Sequence, residues 1–454
     1  MSVIFYLYLF IVLFYLVNEV YAVPILQTLI GILALIVIVL NIRRASRLYL
    51  WAGLSFFTLG LLFYFMYVPS DVPFFHLFGS MAGLLSLLFV LPYMSTIISV
   101  GKYDRALGHM ISRPPELNSI RLYRRTSIMT YMLTLFLNVA TVPVVVATVK
   151  NKLNQLGPVV IQRFFAHSIL RAYALVLLWS PTEVLVASTV DLTGASYLTL
   201  LPTLFVISTL FISIDWFLHK RQLKDVHLQV PVVSIADPRS LNRKLLQLGM
   251  AITIFIVALL VFNALTPQTF LFSVTILIVP FTFLWAKAIH KGKRFAKLSF
   301  VYVKGNTTQL HGLFFLFLTA GFFVEVFPYT VWFDYMNAVF AFTFNEGSLF
   351  LFYLLVGLCI FSFALIGFHP LISIAIISPF LTDAIAAHPY GVSLLLIGVG
   401  LSTVMIGPFN VTPTILALQL QANPYSIIRK NLVFALCYLL FIVTTAYFFS
   451  LLLA

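Results

Sequence analysis

SPTEVLVASTVDLTGASY occupies residues 180–197, and TPTILALQLQANPYS occupies residues 412–426. Each places a Ser/Thr-Pro-Thr triplet inside a long apolar run. Each reaches a turn of small and polar residues ending near a Tyr about a dozen residues later. Proline in a helix interior removes one hydrogen bond and costs roughly 3 kcal/mol. In lipid the freed backbone group has no water to turn to. The same interruption made twice in an apolar chain therefore needs a reason.

Composition supplies the setting. Hydrophobic residues make up 62% of the 454-residue chain and charged residues 9%, with a mean hydropathy of +1.07. A soluble domain carries about 25% charge. Many segments reach the roughly 20 apolar residues that span a bilayer. The first, SVIFYLYLFIVLFYLVNEVYA (residues 2–22), has no basic leader and no small-residue cleavage site, so it reads as a retained membrane helix. Cys359 and Cys437 lie in apolar helices, are too few for a disulfide framework, and read as small core hydrophobes. The net charge of +14 is spread over short loops rather than gathered with aromatics. The expected partner is the lipid bilayer, not nucleic acid.

The basic residues fall in six clusters: Arg43 with Arg44 and Arg47, residues 102–125, Lys150 with Lys152, residues 220–244, residues 287–304, and Arg429 with Lys430. With all six on the cytoplasmic side, the intervening loops are external. These lie around Glu19, Asp71, Asp191, residues 265–268, residues 327–347 with Asp334 and Glu346, and Asp383. Of the 27 basic residues, 25 fall in the six clusters and none in the external loops. That separation is the positive-inside pattern. The remaining two, Arg163 and Arg171, lie in a membrane segment.

The topology closes only if two apolar stretches turn back on themselves. Residues 127–149 must start and finish inside, with Asn138 to Thr141 at the tip and Pro143 after it. Residues 348–382 must start and finish outside, with Gly367, Phe368, His369 and Pro370 at the tip. The expected fold class is an all-α polytopic membrane protein of about 11 transmembrane helices plus two re-entrant hairpins, arranged as an inverted repeat. An extra helix covers residues 1–22. The first repeat covers 23–218, with its hairpin at about 127–149 and its broken helix at about 157–188. A cytoplasmic linker covers 219–245. The second repeat covers 246–454, with its hairpin at about 348–382 and its broken helix at about 391–420. The N-terminus is then cytoplasmic and the C-terminus external, in a cell membrane.

Each Ser/Thr-Pro-Thr interruption follows its hairpin by about 40 residues. Two breaks facing two tips would enclose free carbonyls, amides and half-helix ends, a site for an anion and its coupling ion. An ordinary proline kink is the plainer reading of either break alone. The candidate substrate-binding residues are Arg171, Ser180, Thr182, Asn410 and Thr412. The candidate ion-coupling residues are Asn138, Thr141, Glu183, Thr414 and His369. Arg163, His167 and Arg171 are spaced i, i+4, i+8 and share one face of a regular helix. Arg163 and His167 could instead snorkel to the surface. Arg171 is deeper, and an intramembrane cation marks a functional site by default. Glu183 could pair with Arg171 or carry a coupling proton. Asn138 and Thr141 could ligate an ion or cap helices. His369 could be a ligand or a turn residue. Asp215 and Glu325 read as solvated span ends.

These residues carry a family resemblance. SPTEVLVASTVDLTGASYLTLLPTLF (residues 180–205) and VTPTILALQLQANPYSIIRKNLVFALCYLL (residues 411–440) resemble the two breaks of the large membrane subunit of tripartite ATP-independent periplasmic (TRAP) transporters, within the wider ion-transporter superfamily. The resemblance covers both hairpin-plus-break regions. It implies an elevator-type carrier of carboxylates, often sodium-driven. Three departures stand out: the second tip is bulky, Thr414 stands where the family has a second proline, and the following glycine is absent.

The expected function is ion-coupled secondary transport of a small organic anion, with sodium favoured over protons and Glu183 paired to Arg171. No enzyme is expected, since Walker, H-E-x-x-H and G-x-S-x-G motifs are all missing. The alternatives are a flippase for an anionic lipid phosphate, gathered by the basic loops, and a membrane-embedded enzyme or assembly scaffold. No cofactor is expected beyond the ion. A homodimer and an external binding protein are the conceivable protein partners.

Overall fold

A computed structural model describes residues 2–111, 119–222, 238–408 and 410–453. Residues 112–118 of the basic cluster at 102–125 and most of the expected linker, residues 223–237, lie outside them. The described residues form helices and no strand. Thirteen helical stretches among them are long and apolar enough to cross a membrane. The chain is an all-α polytopic membrane protein. The thirteen include Ser119–Leu153, which holds the first expected hairpin, and both arms of the second, Leu349–Ile366 and Pro370–Ala387. Of the second broken helix, neither piece, Pro389–Met405 or Val411–Leu420, is long enough to count.

The helices gather into two compact units. The first comprises Met1–Ile97, Leu259–Phe352 and Ala375–Ala384; the second comprises Ile98–Ala258, Tyr353–Ile374 and Ile385–Ala454. Each draws chain from both expected repeats, so units and repeats divide the molecule differently.

In the first unit, helix Arg47–Tyr67 packs along Gly292–Val326. Phe78 stacks on Phe322 with ring centroids 4.3 Å apart. Tyr8 stacks on Phe314 at 3.9 Å. Its hydroxyl accepts from Asn41 Nδ2 at 2.7 Å and contacts His311 Nδ1 at 2.9 Å. The expected external loop over residues 327–347 is instead mostly a helix, Val331–Asn345. The Thr330 hydroxyl caps it by accepting from Phe333 N at 3.2 Å. Asp334 lies in its first turn, where a carboxylate favours a helix rather than breaking it. Phe333 and Phe340 both stack on Phe380, at 4.9 and 5.0 Å.

The second unit holds both tips and both interruptions. Helix Pro389–Ser402 packs against Leu432–Leu452 and against Val184–Thr193. At Gly391 the backbones meet so closely that a Cβ would sit 1.8 Å from Ser450 Oγ and 3.0 Å from the Ala446 carbonyl. The Tyr353 and Ser450 hydroxyls bond beside it at 2.7 Å. Thr193 and Ser393 hydroxyls bond at 2.6 Å between the two half-helices. Cys359 is only half-buried and Cys437 is exposed on its helix surface, so neither is the core hydrophobe expected. An apolar helix facing lipid tolerates a small thiol there.

Two measurements check this architecture. In a Cys359→Ala, Cys437→Ala background, cysteines at the exposed positions Arg124 and Asn151 are expected to react with a membrane-impermeant maleimide from the same side. Labelling from opposite sides would show that residues 127–149 cross rather than return. Gly391→Val is expected to destabilise the protein by about 1–3 kcal/mol, the usual cost of overpacking, read as a lowered Tm in detergent; an unchanged Tm would deny the close approach.

Candidate functional site

At the first expected tip the helix is interrupted. Helix Ser119–Leu137 passes through a 3-10 turn, Asn138–Ala140, into helix Thr141–Val149. Asn138 has φ of +46°, the left-handed region that asparagine tolerates better than most residues. Its side chain then accepts a short hydrogen bond from the Tyr173 hydroxyl. One residue thus makes the turn and ties it to the neighbouring helix.

That neighbour is the first broken helix. It starts as Pro158–Phe165, widens into a π-helical turn over Ala166–Arg171, and resumes as Ala172–Leu177. It then stops, and Val184–Thr193 begins after residues 178–183. Pro181 lies in the gap as expected. The gap is braced from several sides. Tyr197 donates to the Trp179 carbonyl at 2.6 Å, and Trp179 Nε1 donates to Tyr131 OH at 2.6 Å. Tyr131 bonds Ser208, whose hydroxyl reaches the Leu175 carbonyl. Ser180 and Thr182 hydroxyls lie 3.1 Å apart. Glu183 is the N-cap of the second half-helix, its carboxylate accepting from Leu185 N at 3.5 Å.

The second interruption lies slightly ahead of its sequence signal. Helix Pro389–Ser402 ends in a 3-10 turn, Thr403–Met405, and Val411–Leu420 begins after the N-cap Asn410. The chain therefore breaks around Gly407 and Pro408, not at Pro413. Pro413 sits in the first helical turn, where a missing N–H leaves no bond unmade. Asn410 Nδ2 donates to the Thr403 carbonyl at 2.9 Å, and Thr414 donates to the Asn410 carbonyl at 2.8 Å. The second tip turns at Gly367, whose φ of +120° requires glycine. His369 Nδ1 accepts from Leu371 N at 3.4 Å and so caps the helix that follows. This fits the turn-residue reading.

Tip and breaks converge inside this unit. Helix Thr141–Val149 packs on Val411–Leu420, and the helix segments flanking the two interruptions pack on one another. Lys150 Nζ donates to the Gln419 carbonyl at 3.0 Å. The Tyr173 hydroxyl, which donates to Asn138, also lies near Thr412 and Glu183. Thr141 Oγ1 is buried with no partner. The result is a cluster of neutral oxygens near two half-helix N-termini. A basic depression of about 830 Å³, lined by Lys287, His290, Lys291, Lys293 and Arg294, belongs to the first unit and includes none of these residues.

Arg171 has a different partner from the one expected. Its Nη1 donates to Asp215 Oδ1 at 2.7 Å, its Nε to Asn431 Oδ1 at 2.9 Å, and its Nη2 to the Lys430 carbonyl at 3.4 Å. Its guanidinium carbon lies 4.2 Å from the Phe434 ring centroid. The pair is Arg171–Asp215, not Arg171–Glu183. Asp215 is 1% exposed rather than solvated, while Glu325 is exposed as expected. The π turn adds a residue to one turn of helix, so Arg163, His167 and Arg171 do not share a straight face. Arg163 is exposed, whereas His167 and Arg171 are buried.

Sequence reasoning missed Tyr173, Asp215, His219 and Asn431. The Asp215 and His219 spacing of i, i+4 on one helix was the readable signal. Tyr173 and Asn431 carried none, because their partners are distant in sequence. No group of three or more His, Cys, Asp or Glu among the described residues could hold a metal ion.

No protein-family model matches the sequence, and no characterised protein matches it by sequence. A fold match exists. The crystal structure of the Alcanivorax borkumensis YdaH transporter, described as having an unusual topology, aligns with a TM-score of 0.56 at 16% identity. The alignment covers 88% of this chain and 97% of that one. The fold is similar to that of a solved transporter, and nothing in the comparisons singles out the TRAP family.

Removing one partner of a buried ion pair strands the other's charge and costs about 3–5 kcal/mol, whereas well-packed apolar replacement of both is often neutral. Asp215→Ala is therefore expected to lower thermal stability sharply, and the Arg171→Met, Asp215→Leu double variant to recover most of it. A thermal-unfolding double-mutant cycle in detergent checks this. Additive losses would show the pair to be uncoupled.

Proposed function

We propose that the chain is an ion-coupled secondary transporter of a small organic anion, working by an elevator-type movement across a cell membrane. One observation carries this reading: two helices interrupted within a single compact unit, one of them tied through Tyr173 to a hairpin tip. Discontinuous helices that aim half-helix ends at a substrate recur in secondary transporters. The likeness in fold to the YdaH transporter supports the same class.

The binding roles follow the chemistry of the parts. The N-terminal end of Val411–Leu420 offers partial positive charge to an anion, while that of Val184–Thr193 already meets the Glu183 carboxylate. Ser180, Thr182, Asn410 and Thr412 stand at those ends. Arg171 gives three of its five N–H donors to Asp215, Asn431 and Lys430, so this reading assigns it to anchoring rather than to the substrate. Asn138, Thr141 and Thr412 supply neutral oxygens, the ligands a hard cation prefers. Glu183 is engaged as a helix cap. Sodium is the coupling ion on this reading, and the basic loops put the N-terminus in the cytoplasm.

Purified protein in liposomes, offered a panel of labelled mono- and dicarboxylates, tests the assignment. An inward sodium gradient is expected to drive uptake of at least one of them with a protonophore present. Asn138→Ala and Thr412→Val should each reduce that uptake about tenfold or more, the effect of losing about 1.4 kcal/mol. Glu183→Gln should retain it. Uptake that ignores sodium, collapses with the protonophore and disappears in Glu183→Gln would assign coupling to the proton.

A further inference from the structure

Beside the Arg171–Asp215 pair, two buried histidines form a continuous chain of contacts. His167 Nε2 faces the Lys430 carbonyl at 3.0 Å. His167 Nδ1 faces His219 Nε2 at 2.7 Å. His219 Nδ1 faces the Asp215 carbonyl at 3.0 Å and the Asp215 carboxylate at 3.4 Å. His167 is 6% exposed and His219 4%.

Counting protons along this chain gives an uneven result. A carbonyl or carboxylate oxygen only accepts, so both end nitrogens must carry hydrogen. The central nitrogen pair, at a full hydrogen-bond distance, needs one more. Three contacts therefore require three ring protons, and two neutral imidazoles supply one each. With only two, either two lone pairs face each other in the middle or a lone pair faces an oxygen at one end. Each alternative leaves a buried polar contact repulsive, in surroundings where such contacts are costly.

We propose that His167 and His219 form a proton-binding site, holding one proton more than two neutral rings can. The charge is shared across the central nitrogen pair. This site is separate from the tips and breaks assigned to substrate and sodium, and it stands on its own geometry. With all three protons in place, the chain ties the π-helical turn both to helix Tyr197–Gln222 and to the segment that opens helix Leu432–Leu452. His167 reaches Lys430 there, and Asn431 reaches back to the Ala166 carbonyl at 3.1 Å.

The charges facing the pair come from every helix around it. Arg171 lies on the same element as His167 and is offset by Asp215. Tyr123, on Ser119–Leu137, stacks on His219 at 4.1 Å and donates to Asp215 Oδ2 at 2.6 Å. Lys430 contributes an ammonium as well as its carbonyl, with Arg163 and Arg429 close to it. Burial and these cations work against the extra proton. Two fixed carbonyls and the Asp215 carboxylate work for it. Lys430, at one end of the chain, is part-exposed.

Solid-state nitrogen NMR of the full-length protein, labelled on histidine and held in phosphatidylcholine–phosphatidylglycerol bilayers, tests the site. The N–H···N contact gives a through-hydrogen-bond nitrogen–nitrogen coupling that identifies the pair without any variant. Spectra run from about pH 5 to about pH 8, the range in which imidazole ordinarily titrates. The expected result is three ring protons on the coupled pair at the acid end, with both rings changing together as one proton leaves. In His167→Gln or His219→Gln the coupling should vanish, and the surviving ring should no longer share its titration. Two ring protons throughout, no nitrogen–nitrogen coupling, or two rings that titrate independently would each overturn the proposal. Carboxylate uptake plays no part in these readings, so failure here and failure of the transport assignment are separate outcomes.

Discussion

A backbone polar group in the hydrocarbon region of a bilayer has nowhere to go but the protein. The two interrupted helices turn that constraint into architecture. At the first gap a tyrosine hydroxyl bonds the Trp179 carbonyl, and the Glu183 carboxylate accepts from the Leu185 amide. At the second, the Asn410 amide bonds the Thr403 carbonyl and Thr414 bonds the Asn410 carbonyl. Side chains replace some of the bonds that the missing helical turns would have made. A gap held in this way is a fixed shape, and a fixed shape can present amide and hydroxyl groups to a ligand in one arrangement.

The buried ion pair fits the same logic at the level of charge. An isolated arginine in this setting would cost several kcal/mol. Here its donors go to a carboxylate, an amide oxygen and a carbonyl, while its flat face meets Phe434. Such a pair adds little net stability over an apolar substitute. What it supplies is register. Asp215, Arg171, Lys430 and Asn431 lie on three separate elements, and only one packing of those elements satisfies all of them.

The sequence carried the larger outline because membrane chemistry writes it in coarse terms. Apolar length marks the helices, and Ser/Thr-Pro-Thr marks the approximate places where helices stop. The first gap lies where Pro181 indicated. The second lies several residues earlier than Pro413, since proline is harmless in a first turn, and Gly407 and Pro408 were the better signal. Helix Val331–Asn345 was hidden by Asp334 within it and Glu346 at its C-cap, residues that suggest a loop. The pairing of Arg171 was hard to read for a different reason. Its partner Asp215 is 44 residues away, and the π turn shifts the helix face that regular spacing would assign. Local patterns reveal where a chain bends. They do not reveal which distant carboxylate a buried cation will choose.

The π turn links these threads. By inserting a residue ahead of Arg171, it lets His167 and Arg171 point their polar ends at the same two neighbours, Lys430 and the Asp215–His219 turn. An uninterrupted helix would set the two side chains about 40° apart as i, i+4 neighbours, given 3.6 residues per turn, and the π turn changes that offset. The widened turn costs helix regularity and gains a junction where one element is held by an ion pair and a histidine chain together. That junction leads through Ala172–Leu177, which carries Tyr173, into the first gap. The helix that presents Tyr173 to the hairpin tip is therefore anchored at its other end by charge. Any movement that carries the tip must carry this anchored helix with it, or break the anchor.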